Sequence, residues 1–163
     1  MWLLAFVFAL TTAAPGADDL LVLAQVLRDR SADDQARQQA ASSLGCVGGD
    51  QAVRHLQAAL RDASPTIRPD IARALGNTRS RLAVPVLIDM FRDDSARDDV
   101  CDALRTLTHR TWCDGGDDDV ALRRAWRRWW SQMKPRVEIF GPESRCDSRE
   151  SKREAAAIAR LDI

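Results

Sequence analysis

The chain is 163 residues long and carries 24 basic and 24 acidic side chains, so its formal net charge is zero. That balance lacks the basic footprint of a nucleic-acid binder, and no nucleic-acid partner is expected. A composition of 45% hydrophobic and 29% charged residues belongs to a folded chain of about one domain, and its alanine- and leucine-rich, tyrosine-free make-up favours helices over strands.

Residues 1–17 stand apart. Trp2 to Leu10 is an uninterrupted apolar run, followed by small residues up to Ala17. This is the pattern of a secretory signal peptide, although no Lys or Arg precedes the apolar core. Export to the periplasm or the exterior is therefore expected. A buried N-terminal helix and a start codon placed too late are the alternatives. The run is about half of the ~20 apolar residues that a spanning helix needs, so no stable membrane span is expected in the mature chain.

From Asp18 to Asp29, Leu20, Leu21, Leu23, Ala24 and Leu27 are expected to share one helical face. That helix is expected to stop near Arg30-Ser31. A second, capped by Asp33 or Asp34, runs through Ala36, Ala40, Ala41 and Leu44, with Gly45 predicted to supply a left-handed C-terminal turn. The next pair starts near Asp50, with Val53, Leu56, Ala59 and Leu60 inward. Its second helix starts at Ser64-Pro65 and is kinked at Pro69, or starts nearer Arg68, and it ends at Gly76-Asn77. A third pair follows, from about Ser80 to Phe91 and from Ala96 to Leu107. The segment Ala36-Arg37 to Leu44-Gly45 recurs 31 residues later as Ile67-Arg68 to Leu75-Gly76, and again, 29 residues on, as Ala96-Arg97 to Leu104. A period of this size signals stacked helical hairpins.

Thr108 to Asp119 breaks the pattern with a polar loop. A helix from Val120 to Met133 then carries Leu122, Trp126, Trp129 and Trp130 on one side, among Arg123, Arg124, Arg127 and Arg128. Residues 135–163 are expected to form a C-terminal tail, with a short final helix begun by a Ser151/Glu154 capping box.

The text Leu60-Arg61-Asp62, Ile67-Arg68, Ala72-Arg73-Ala74-Leu75-Gly76 and Ala83-Val84-Pro85-Val86-Leu87-Ile88 resembles the HEAT-like repeat family, in the short-repeat form first named for phycobilisome lyases. The likeness covers about Asp18 to Leu107. It implies an all-α, right-handed α-solenoid of about three hairpins, closed by a Trp-rich capping helix within a repeat domain of residues 18–134. In such proteins an aspartate before the second helix and an arginine in its first turn stack from repeat to repeat. Here the arginines are Arg37, Arg68 and Arg97, preceded at unequal distances by Asp29, Asp62 and Asp93. Laddered or solvated charge is the leading reading of these arginines, and a ligand-binding row the other.

The residues offer little chemistry. HEAT-like di-iron hydroxylases need repeated His-Glu pairs, whereas His55 and His109 are followed by Leu56 and Arg110, which effectively excludes that reading. There is no nucleophile elbow, phosphate loop or zinc-protease motif. No catalytic residue, metal or cofactor is predicted. Cys46, Cys101, Cys113 and Cys146 form no CxxC pair. Cys113 lies in the loop leaving the helix of Cys101, so a Cys101–Cys113 disulfide is expected, with Cys113–Cys146 as the alternative. Hairpins stack ~10 Å apart, beyond the ~7 Å Cα limit of a bridge, which keeps Cys46 from reaching either partner easily. The acidic run Asp114 to Asp119 lacks EF-hand spacing and reads as helix capping. Trp126, Trp129 and Trp130 read first as a cover for the open end of the stack and second as a partner hot spot.

The reading reached is a non-catalytic module that binds an unidentified protein or peptide through the solenoid face. Arg37, Arg68, Arg97, Trp126, Trp129 and Trp130 are its candidate interaction residues. A lyase-type enzyme or subunit using the concave groove is the competing class, and a HEAT-like nucleic-acid binder the third.

Overall fold

Three amphipathic hairpins follow one another in the computed structural model, which describes residues 17–115, 118–133 and 139. They are α1 (Ala17–Arg28) with α2 (Asp34–Val47), α3 (Gly49–Ala59) with α4 (Arg68–Asn77), and α5 (Ala83–Met90) with α6 (Arg97–Thr108). A 3-10 turn at Asp94–Ala96 leads into α6 and another at Trp112–Gly115 follows it, before α7 (Asp119–Met133). The expected signal peptide lies outside the described residues up to residue 16, and so does the expected tail apart from Ile139. No strand occurs among the described residues.

The helix boundaries follow from local chemistry. Asp33 is extended and accepts the Ala36 amide hydrogen at 2.6 Å, capping α2. Pro69 sits in the first turn of α4, where no amide hydrogen is missed, so α4 starts at Arg68 without a kink and Ser64 to Ile67 forms a turn ahead of it. Asp118 caps α7 by accepting from the amides of Val120 and Ala121, both at 3.0 Å.

The second helices α2, α4 and α6 lie side by side, with α1, α3 and α5 behind them and α7 against α5. Leu23, Leu27, Leu44, Leu56, Ile67, Ile71, Leu75, Leu87, Leu104 and Leu107 fill one continuous core with essentially no exposure. At roughly 25 cal/mol per Å² of apolar surface removed from water, this burial is what holds the stack together.

Gly45 requires a correction: it lies inside α2, not at a left-handed end. Gly76 stands at the close of α4, which ends at Asn77 as expected. A Cβ on Gly45 would stand 2.8 Å from the Cα and carbonyl oxygen of Ala74, and one on Gly76 would stand 2.9 Å from the Cα and Cβ of Ala103. These glycines let successive second helices approach backbone to backbone. Positive φ comes later, at Gly48 (φ 72°) and Gly49 (φ 77°) after α2, at Arg79 (φ 54°) after α4 and at His109 (φ 53°) after α6. At the first of these the Gly49 amide donates to the Thr78 carbonyl at 2.8 Å, tying the α2–α3 corner to the α4–α5 corner.

Candidate interaction surface

In α2 and α4 the first turn places its arginine against the preceding chain. Arg37 is buried, donates from Nε to the Leu27 carbonyl at 3.3 Å, and pairs with Asp34 at 3.3 Å. Arg68 repeats the gesture toward the Ala63 carbonyl at 3.1 Å and forms an ion pair with Asp93, in the next repeat. Arg97 pairs with Asp119 in the first turn of α7. Arg68 and Arg97 thus each reach forward to an aspartate of the following unit, while Arg37 pairs within its own helix and Asp62 goes to Arg30. Ser95 hydrogen bonds hold the Asp93 carboxyl below its usual range, and Arg68 reinforces them.

The solvent side of the second helices is polar and cross-linked. Arg73 pairs with Asp70 on α4 at 2.5 Å and with Asp99 on α6 at 3.3 Å, and Arg105 pairs with Asp102 at 2.8 Å. Burial pushes the Asp70 carboxyl up. Arg73 draws it back, and Asp99 and Asp34 add to the rise. Asp70 therefore sits between α2 and α6, at the centre of this face.

Trp126 is fully buried and Trp129 nearly so, while Trp130 is half-buried. Sequence reasoning missed Trp112, which is 38% exposed. Its ring lies 5.2 Å from Trp126 and 5.7 Å from Trp129, and Trp129 lies 5.4 Å from Trp126 and 6.0 Å from Trp130. Arg110 stacks over Trp112 at 5.1 Å and Trp129 at 4.8 Å, and Arg81 lies 5.6 Å from the Trp130 ring. The signal available was adjacency: Trp112 directly precedes Cys113 in the loop expected to fold back onto α6. The Cα atoms of Cys101 and Cys113 are 5.8 Å apart, within disulfide range. Thr108, His109, Arg110, Thr111 and Trp112 line an open depression of about 380 Å³ beside this cluster.

Among the described residues, no group of three or more His, Cys, Asp or Glu side chains is placed to hold a metal ion. No helix there is long and apolar enough to cross a membrane.

The fold and its glycine-lined joints define a stack of helical repeats. A sequence model described as HEAT repeats matches residues 20–108, and the chain belongs to the HEAT-repeat family. The chain is also similar to bovine (Bos taurus) deoxyhypusine hydroxylase, at 36% identity over 69 residues. That match covers 42% of this chain and 23% of the hydroxylase, so the chain spans about a quarter of that relative's length. No solved structure matches.

Proposed function

We propose that the protein is a non-catalytic interaction module whose second-helix face binds a protein or peptide. The supporting observation is the continuous polar surface over α2, α4 and α6, on which Arg73 links Asp70 to Asp99 and Arg105 stands exposed beside Asp102. Preset side chains on rigid helices lower the ordering cost of binding. In this reading the stack is a right-handed, short-repeat solenoid with a concave second-helix face, and α7 with its tryptophans is its cap. Arg37, Arg68 and Arg97 act as architecture that sets the curvature of that face.

The test is affinity capture with the full chain and with the double variant Arg73→Ala/Arg105→Ala, followed by mass spectrometry. A partner retained by the parent and lost by the variant supports the reading. Equal retention by both contradicts it.

Export and a formed Cys101–Cys113 bridge belong to the same proposal. Both are tested by intact mass of natively produced protein before and after reduction, and four free thiols would refute them. The partial likeness to deoxyhypusine hydroxylase favours a second reading, an enzyme or enzyme subunit working in the groove. Neither histidine of this chain is followed by glutamate, so that reading requires a different residue set. A small-molecule stabiliser that competes with no protein partner would select it.

A further inference from the structure

At the edge where α7 crosses the end of α5, positive charge outnumbers its compensation. Asp89 is the only carboxylate placed against Arg123 and Arg127 among the described residues. It lies 3.7 Å from Arg123 and also forms an ion pair with Arg127. Arg92, exposed in the turn after α5, adds its own repulsion at Arg123. Arg123 and Arg127 thus share one carboxylate, with the Arg92 guanidinium close enough to Arg123 to repel it. The C-terminal dipole of α5 offsets only about half a charge.

The surplus is also partly out of water. The Arg123 side chain is 17% exposed, and its Nε hydrogen is buried with no acceptor among the described residues. An arginine does not shed its proton to relieve this. Burial and the two neighbouring arginines destabilise its charged form more than Asp89 restores it. A solvated charge face would show none of this. Arg124 and Arg128, on the same helix, are exposed and illustrate that ordinary case.

We infer that the α5–α7 edge receives the carboxylates of an acidic segment in a protein partner, with Arg92, Arg123 and Arg127 as the cationic contacts and Asp89 as the internal carboxylate that holds Arg123 and Arg127 in the free protein. The inference rests on the interaction-module reading and adds a second contact, outside the second-helix face, that selects for acidic sequence. Guanidinium groups suit this task because their planar forks meet carboxylates in pairs.

Binding of a hexaglutamate peptide to the full chain, measured by fluorescence anisotropy at low salt, provides the test. Arg92→Gln/Arg127→Gln should weaken binding about tenfold, and Arg124→Gln/Arg128→Gln about twofold. Asp89→Asn should strengthen binding several-fold, because the peptide no longer competes with an internal carboxylate. Asp89 is 57% exposed in its side chain, so this variant retains the fold, which an unchanged melting temperature would verify. Equal losses in the two arginine pairs, or no gain in Asp89→Asn, would overturn the proposal. Full displacement of the peptide by equimolar inorganic phosphate would also overturn it, since that indicates a site for one small oxyanion. If a captured partner depends on Arg73 and Arg105 but not on Arg92 and Arg127, this inference fails and the module reading stands. If no partner depends on the second-helix face, the module reading itself fails.

Discussion

The joints inside the stack and the joint at its end solve the same packing problem in opposite ways. Between second helices the chain removes side chains: Gly45 opens room for Ala74, and Gly76 for Ala103. Against the last hairpin it adds the largest ones, with Trp126 and Trp129 buried and Trp112 laid over both. A repeat can meet its neighbour backbone to backbone because both present the same helical face. Among the described residues the last hairpin has no such neighbour, and the rings of α7 and Trp112 cluster there instead. Position 105 shows the change-over, because Arg105 stands 29 residues after Gly76 and is exposed where no further second helix follows among the described residues.

The largest effect is expected at the terminal joint. Trp126→Ala should cost about 3–5 kcal/mol, as for other fully buried aromatics, measured by urea unfolding. A loss below ~1 kcal/mol would mean the ring cluster is not part of the cooperative core. Gly45→Ala comes next. In an ordinary helix interior it would stabilise by about 1 kcal/mol, but here the new Cβ meets backbone that cannot yield, and overpacking of about 1–3 kcal/mol should prevail. Arg105→Ala, at the corresponding place one joint later, should change thermal stability by no more than ~0.5 kcal/mol. The two substitutions together separate close approach from helix propensity.

Two carboxylates sharpen the comparison through pH. Asp93 has a depressed pKa in the folded state, so its contribution is present above the unfolded value of about 4 and is lost as pH falls through the folded one. Asp70 has a raised pKa, so its contribution is present below the unfolded value and is lost as pH rises through the folded one. Denaturation midpoints between about pH 3 and 7 should show the Asp93→Asn deficit growing with pH, while Asp70→Asn gains relative to the parent. Parallel curves would refute the assigned environments. The smallest effect belongs to the exposed Arg30–Asp62 pair. Arg30→Ala should shift stability by about 0.5 kcal/mol or less in thermal unfolding.

The repeat period was legible because it repeats whole patterns: apolar spacing, a first-turn arginine and a late glycine. The use of that glycine was not. A sequence displays the residue but not whether its missing Cβ serves a positive φ or a close approach, and Arg79 and His109 take the left-handed role without being glycine. The capping roles of Asp33 and Asp118 follow from local chain chemistry and were within reach. Arg110 and Asp89 were not, because the groups they meet on α7 are brought to them only by its packing, and for Trp112 the sequence offered only its adjacency to Cys113. Arg37, Arg68 and Arg97 were visible as a set. Their engagement with carbonyls and with aspartates emerges only once the hairpins are stacked.

Hydrogen–deuterium exchange on the full chain, with and without its captured partner, tests the central proposal most directly. Binding through the second-helix face predicts added protection in α2, α4 and α6, strongest around Arg73 and Arg105, with α1 and α3 unchanged. Protection confined to the Thr108–Trp112 depression, or to the backs of α1 and α3, would contradict it.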